Sequence, residues 1–172
     1  MTQYAQFSSI ASREKIDAAA GIIYGVSVIT EGAAQGANSG TWIDDVTTSQ
    51  ILEIGNKSKE GVKVKLSMAK EHDGSLGQTV GTVRAFRPEG KRIRADLHLL
   101  KTDENFNKLI EMAENMPTQF GLSIVSPKGG FTMEKIDGKS YLRCSELSSV
   151  DLVEAPQQMK VYFSQPNQTK LL

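Results

Sequence analysis

The chain has 172 residues, the length of one compact domain, and it can bury a hydrophobic core without disulfides or metals. Its 20 basic and 20 acidic side chains balance, so no overall positive field draws it onto a nucleic acid and no nucleic-acid partner is expected. The single cysteine, Cys144, excludes an internal disulfide and a cysteine-based zinc site, and it fits a reducing cytosol. Because neither a signal peptide nor an apolar run of ~20 residues is found, a soluble protein without a membrane partner is predicted.

The first half of the sequence predicts strands and one short helix. Residues 21–30, GIIYGVSVIT, are apolar and β-branched, which predicts a largely buried strand, and a glycine-rich loop follows. Residues 45–61, DVTTSQILEIGNKSKEG, predict a short surface helix with a threonine cap and a glycine stop. In GVKVKLSM, residues 61–68, apolar side chains alternate with lysines, so a half-buried strand is expected.

The second half predicts two hairpins, the clearest helix and a final strand. Residues 77–100 predict a β-hairpin that turns at Pro-Glu-Gly. Residues 102–117, TDENFNKLIEMAENMP, predict a helix with a threonine cap, an acidic first turn and a proline just beyond its end. A strand at 119–127, QFGLSIVSP, then precedes a second hairpin at 131–144 and a last strand within 146–156.

Six or seven strands with two or three helices in this order indicate an α+β fold. The expected architecture is a β-barrel or a strongly bent, mostly antiparallel sheet flanked by a few helices. Residues 1–156 are expected to form a single domain, and residues 157–172, which are rich in Gln and Asn, a C-terminal tail or arm.

Two histidines and one serine are the first candidates for catalysis. His98 alternates with the apolar residues of ADLHLL, which predicts a strand-surface position. His72 lies in a polar loop between two predicted strands, where a rigid scaffold often presents functional groups, although a solvated loop residue fits the pattern as well. Ser123 is surrounded by apolar residues, so it is either a buried structural serine or a nucleophile that needs a nearby base.

No metal or cofactor site is expected from the sequence. The two isolated histidines and the scattered carboxylates show no metal-ligand spacing. The glycine-rich stretch GAAQGANSG lacks the lysine and the strand-to-helix context of a phosphate-binding loop.

Three stretches together, in their order and spacing, resemble the prohead proteases of tailed bacteriophages, which mature the phage head. They are HDGSLGQTVGTVRAFRPEGKRIRADLHL, LIEMAENMPTQFGLSIV and RCSELSSVDLVEAP, and the resemblance runs from about residue 20 to 156. The most specific parts are the histidine followed by G-x-V-x-x-F-R, the P-x-x-F-G-L-S-I serine motif and the closing S-V-D-L-V-x-x-P.

The resemblance implies a serine endopeptidase of the herpesvirus assemblin type, a β-barrel flanked by helices. It implies that Ser123 is the nucleophile and His72 the general base. The implied substrates are the phage scaffold and major capsid proteins and the protease itself, inside the assembling procapsid in the host cytoplasm. It also implies a homodimer, for which residues 103–114 are the amphipathic candidate, although packing on the chain's own sheet explains that pattern equally.

The third catalytic residue departs from the family pattern. The family carries Glu or His directly before the V-x-L pattern of the last strand, and here that position is Ser149. Asp151, two residues on and so on the same strand face, is the first candidate. Glu146, if a bulge turned it inward, is the second, and a Ser123–His72 dyad assisted by Ser149 or water is the third.

Two further questions stay open at the level of sequence. The oxyanion donors are either backbone N–H groups near the serine or an arginine such as Arg143, and Gly121 either admits the substrate backbone or relieves crowding. Ser149 at the usual third position also allows an alternative function, a catalytically silent homologue that is a structural or scaffolding component of the phage particle.

Overall fold

The computed structural model describes residues 5–6, 16–33, 40–66, 79–117 and 119–154. Within these ranges the chain forms twelve strands and two helices. Their bounds in chain order are β1 Ala5–Gln6, β2 Ile16–Asp17, β3 Ile22–Thr30, β4 Gly32–Ala33, β5 Thr41–Ile43, α1 Asp45–Asn56, β6 Val62–Leu66, β7 Thr79–Glu89, β8 Arg92–Leu99, α2 Phe106–Asn115, β9 Phe120–Val125, β10 Phe131–Ile136, β11 Lys139–Cys144 and β12 Ser149–Glu154.

Eight of the strands form one strongly curled sheet in the order β1-β9-β12-β6-β7-β8-β3-β2. All neighbouring pairs are antiparallel except β12 and β6, which run parallel. The sheet bends until β3, near one end of the order, contacts β1 and β9 at the other. The predicted α+β fold with a bent, mostly antiparallel sheet and few helices is confirmed.

Alternating apolar residues turn one face of this sheet into the core. In β8 the four residues Ile93, Ala95, Leu97 and Leu99 are buried and the residues between them are half-buried, as the period of two predicts. Burying each larger side chain contributes about 1.5–3 kcal/mol. The sheet therefore has an inner, apolar face and an outer face on which the alternate side chains stand.

The predicted hairpin at 77–100 is confirmed as β7 and β8. Its turn lies later than expected, because β7 continues through Pro88 and Glu89 and the chain reverses at Gly90, whose φ is +59°. A shift of register between Arg84 and Arg87, with Ala85 at a φ of +54°, bends β7 where the sheet curls.

A second, four-stranded sheet has the order β10-β11-β5-β4 and was not predicted. The expected hairpin at 131–144 is present as β10 and β11, but β5 pairs with β11 and β4 with β5. These two added strands have three and two residues, too few to show a periodic pattern. The described ranges contain twelve strands in all, more than the six or seven predicted.

Helix α1 is confirmed, but its cap is Asp44 and not a threonine. The Asp44 carboxylate accepts the Thr47 N–H at 3.0 Å, and the Thr47 hydroxyl accepts the Asp44 N–H at 3.4 Å. Asp44, one residue before the stretch that predicted the helix, is thus the N-cap and forms a capping box with Thr47.

Helix α2 begins at Phe106 with Asn105 as its N-cap, three residues later than the predicted threonine cap at Thr102. The Asp103 carboxylate instead accepts the N–H of Asn105 at 2.8 Å, which forms a turn before the helix. Leu109, Ile110 and Ala113 lie in the chain's own core, so this apolar face is buried without a second subunit. Neither helix in the described ranges is long and apolar enough to cross a membrane.

Candidate active site

Ser123 lies in the middle of β9, on the outer face of the curled sheet. Its neighbours Leu122 and Ile124 point into the core, so the alternation of the strand turns Ser123 the other way. Ser123 is nevertheless 0% exposed, and its Oγ has no hydrogen-bond partner among the described residues. A buried hydroxyl without a partner is unusual in a folded protein, and it marks the position for attention.

Asp151 stands directly opposite Ser123 on the adjacent strand β12. Residues that face each other in an antiparallel pair share one face, with Cβ atoms about 4.5–5.5 Å apart. The pairing of β9 and β12 runs without a register shift from Ser149 to Glu154, and Asp151 is only 1% exposed. The first candidate for the third residue is thus brought beside the predicted nucleophile.

Ser149 lies on the same face of β12, opposite Val125. Its hydroxyl donates a hydrogen bond of 2.6 Å to Oδ1 of Asp151. Both side chains are buried, at 3% and 1% exposure. The residue at the family's usual third position therefore contacts the carboxylate and lies two register positions from the pair of Ser123 and Asp151.

The outer-face row that begins at Ser123 and Asp151 continues across two more strands. Lys65 of β6 is the parallel partner of Asp151, and Thr79 of β7 is the partner of Lys65. Thr79 Oγ1 is also buried without a hydrogen-bond partner among the described residues, as is Ser27 Oγ on β3. We call Ser123, Asp151, Lys65 and Thr79 the nucleophile row. Sequence reasoning missed Lys65 and Thr79, because only the pairing of distant strands reveals the row.

Glu146, the second candidate for the third residue, is not brought to this row. It lies in the loop before β12 and is exposed. Its backbone carbonyl accepts hydrogen bonds from Ser126 Oγ at 2.7 Å and from Cys144 Sγ at 3.4 Å. The bulge that would have turned its carboxylate inward is not present in β12.

Arg143, the arginine considered as an oxyanion donor, belongs to the second sheet. Its guanidinium binds both oxygens of Asp44, at 2.8 and 3.0 Å, and Glu134 at 2.6 Å. The hydrogen bond to Asp44 is the main reason that the pKa of Arg143 is raised, although burial opposes it. This arginine joins β11 to the start of α1, and backbone N–H groups near Ser123 are the remaining candidates for the oxyanion.

His98 stands half-buried on the outer face of β8, between its register partners Ile22 and Thr82. Burial and, to a smaller extent, the charge of Arg84 lower its pKa, while Asp96 opposes the shift. The predicted strand-surface position is confirmed. His72, the other histidine, lies in residues 67–78, outside the described residues.

Gly121 lies two residues before the serine on the same face of β9. Its backbone is paired on both sides, with Gln6 of β1 and Val153 of β12. At Gly121 itself β9 is therefore an interior strand, and a peptide substrate has no open edge with which to pair at this residue.

The sequence matches no protein-family model and no curated protein. Among solved structures, its fold is similar to that of the capsid assembly protease gp21 of bacteriophage T4, with a TM-score of 0.51. The two chains are 13% identical, and the match covers 78% of this chain and 91% of the T4 chain. At that identity the likeness concerns the fold. The chain therefore has the fold of a phage prohead protease, as its sequence motifs implied.

Proposed function

We propose that this protein is a serine endopeptidase of phage head maturation. Its substrates are the scaffold and major capsid proteins of the procapsid, and it also cuts itself. The observation that carries the proposal is the pairing of two buried polar residues, Ser123 and Asp151, across adjacent strands of a protease fold. A purely structural sheet gains nothing from a buried carboxylate facing an unpaired hydroxyl, whereas a nucleophile with its charge partner needs both.

His72 is the proposed general base, and chain connectivity supports it. Residues 67–78, which contain His72, connect the end of β6 at Leu66 to the start of β7 at Thr79, and Lys65 and Thr79 at these two ends belong to the nucleophile row. His72 is six residues from one end and seven from the other, and an extended chain covers about 3.3–3.6 Å per residue. The segment is thus long enough to carry an imidazole to Ser123 and Asp151.

The proposed chemistry is acyl transfer through the serine. Ser123 Oγ attacks the scissile carbonyl carbon while His72 takes its proton, and Asp151 accepts the other ring N–H and balances the positive charge. When the C–N bond breaks, His72 returns the proton to the leaving amine. Water then hydrolyses the acyl-serine with the same base, and backbone N–H groups stabilise the oxyanion in both steps.

Co-expression with the cognate capsid and scaffold proteins tests this function. We expect the wild type to shorten at least one of these chains, as measured by intact mass. Ser123→Ala and His72→Gln should each lower the cleavage rate by about 10⁶-fold, and Asp151→Asn by about 10⁴-fold. His98→Gln and Glu146→Gln are the matched controls and should cleave normally, since neither side chain belongs to the nucleophile row.

The structural alternative makes the opposite prediction. If neither the wild type nor Ser123→Ala cuts any chain, and particles still require the protein, then the protein is a silent homologue of the protease. Cleavage by Ser123→Ala at the wild-type rate would also contradict the proposed nucleophile.

A further inference from the structure

The strongest unassigned interaction of the site is the hydrogen bond from Ser149 to Asp151. The two residues are separated by one position in β12, so both side chains stand on the outer face. Their oxygen atoms are 2.6 Å apart and both residues are almost completely buried. This distance is short for a hydrogen bond between two oxygen atoms, whose usual separation is about 2.7–2.8 Å.

The other buried serines of this region use their hydroxyls differently. Ser126 Oγ donates to a backbone carbonyl, that of Glu146, as buried serines commonly do. Ser123 Oγ has no partner among the described residues. Ser149 thus stands apart, because its hydroxyl is directed at the one carboxylate that faces Ser123.

A carboxylate needs such a restraint if it is to orient an imidazole. The terminal torsion of an aspartate side chain is broad, so the strand fixes the position of the Asp151 carboxyl group but not the plane of its two oxygens. A donor on Oδ1 sets that plane and thereby the direction in which Oδ2 points. At metal sites, the groups that orient a ligand in this way change affinity or activity by about 10–100-fold when they are removed, and we expect an effect of the same scale here.

We infer that Ser149 is a positioning residue that holds the Asp151 carboxylate in the orientation that the base requires. This inference rests on the proposed function and deepens it. The serine at the family's usual third position has not replaced the charged member of the triad. Instead, it supports the carboxylate of Asp151, which lies two residues further along the same strand face.

The test compares variants of Ser149 with a matched variant of Ser126. Ser149→Ala should lower kcat about 10–100-fold on a peptide that spans a mapped cut site, with KM nearly unchanged. Ser149→Thr keeps the hydroxyl and should retain most of the activity, and Ser149→Cys, a weaker donor of similar size, should lie between them. Ser126→Ala also removes a buried serine hydrogen bond but should leave kcat unchanged.

A second measurement separates folding from catalysis and needs no peptide. The rate at which a fluorophosphonate modifies Ser123, counted per folded molecule by intact mass, should fall in Ser149→Ala in the same proportion as kcat. If folded Ser149→Ala cleaves and is modified at the wild-type rate, the inference is overturned while the proposed function stands. If the wild type neither cleaves nor is modified at Ser123, the proposed function fails and the inference fails with it.

Discussion

Single residues of the outer face show the difference between structural and functional burial. A buried hydroxyl without a partner costs about 1–3 kcal/mol, because it loses its hydrogen bonds to water and gains none. Among the described residues nothing pairs with the Ser123 hydroxyl, and the other residues of its strand β9 carry no polar side chain. Proteins retain such a destabilising group where their activity requires it.

The Ser123 hydroxyl should therefore be dispensable for folding. We expect Ser123→Ala to leave the free energy of unfolding unchanged or to raise it by about 1 kcal/mol, because alanine is of nearly the same size and removes a hydroxyl that has no partner among the described residues. Urea denaturation of the two purified proteins measures the difference, with Ser126→Ala as the control that should lower stability. A loss of about 1 kcal/mol or more in Ser123→Ala would mean that the hydroxyl already has a hydrogen-bond partner in the resting protein, which the proposed base His72 could supply from outside the described residues.

Among the larger elements, helix α1 joins the second sheet to the rest of the chain through its first turn. The Thr47 hydroxyl donates to the Leu142 carbonyl at 2.6 Å, and Arg143 binds both oxygens of the capping Asp44. Burial alone would raise the pKa of the Asp44 carboxyl. The hydrogen bonds from Arg143 and Thr47 outweigh that effect, so the pKa lies below its ordinary value.

This cap gives the protein a pH-dependent contribution to stability. Because the pKa of Asp44 is lower in the folded state, the contribution is complete above its ordinary pKa of about 4 and is lost as the pH falls through the folded value. Asn is also a good N-cap, so Asp44→Asn removes the charge selectively and should cost about 1–2 kcal/mol at pH 7.

Chemical denaturation between pH 7 and pH 3 checks this prediction. The difference in unfolding free energy between the wild type and Asp44→Asn should shrink as the pH drops below about 4. A difference that stayed constant over this range would show that the ion pair with Arg143 contributes nothing in solution.

Across the whole molecule, the order of the strands assembles the site. β9, β12, β6 and β7 are neighbours in the sheet although β9 and β12 come much later in the chain than β6 and β7, and the parallel pairing of β12 with β6 sets Asp151 beside Lys65. The sheet thus gathers a row of polar groups on its outer face while its inner face remains apolar.

Local patterns in the sequence predicted the parts of this arrangement that depend on neighbouring residues. The strand around Ser123 and the β7–β8 hairpin follow from alternation and turn residues alone. Which residue of β12 faces Ser123 depends on the register between two strands, and sequence spacing does not encode that register. The predicted start of α2 was wrong for a local reason. The Asp103 carboxylate accepts the Asn105 N–H and forms a turn, so the helix begins after this turn and not at the threonine cap.

The most direct test of the central claim is a map of where a fluorophosphonate reacts with the purified protein. We predict a single adduct on Ser123 by intact mass and peptide mapping. It should be absent from Ser123→Ala and His72→Gln, much slower to form in Asp151→Asn, and normal in His98→Gln. An adduct on another serine, or modification of His72→Gln at the wild-type rate, would contradict a serine nucleophile activated by His72 opposite Asp151.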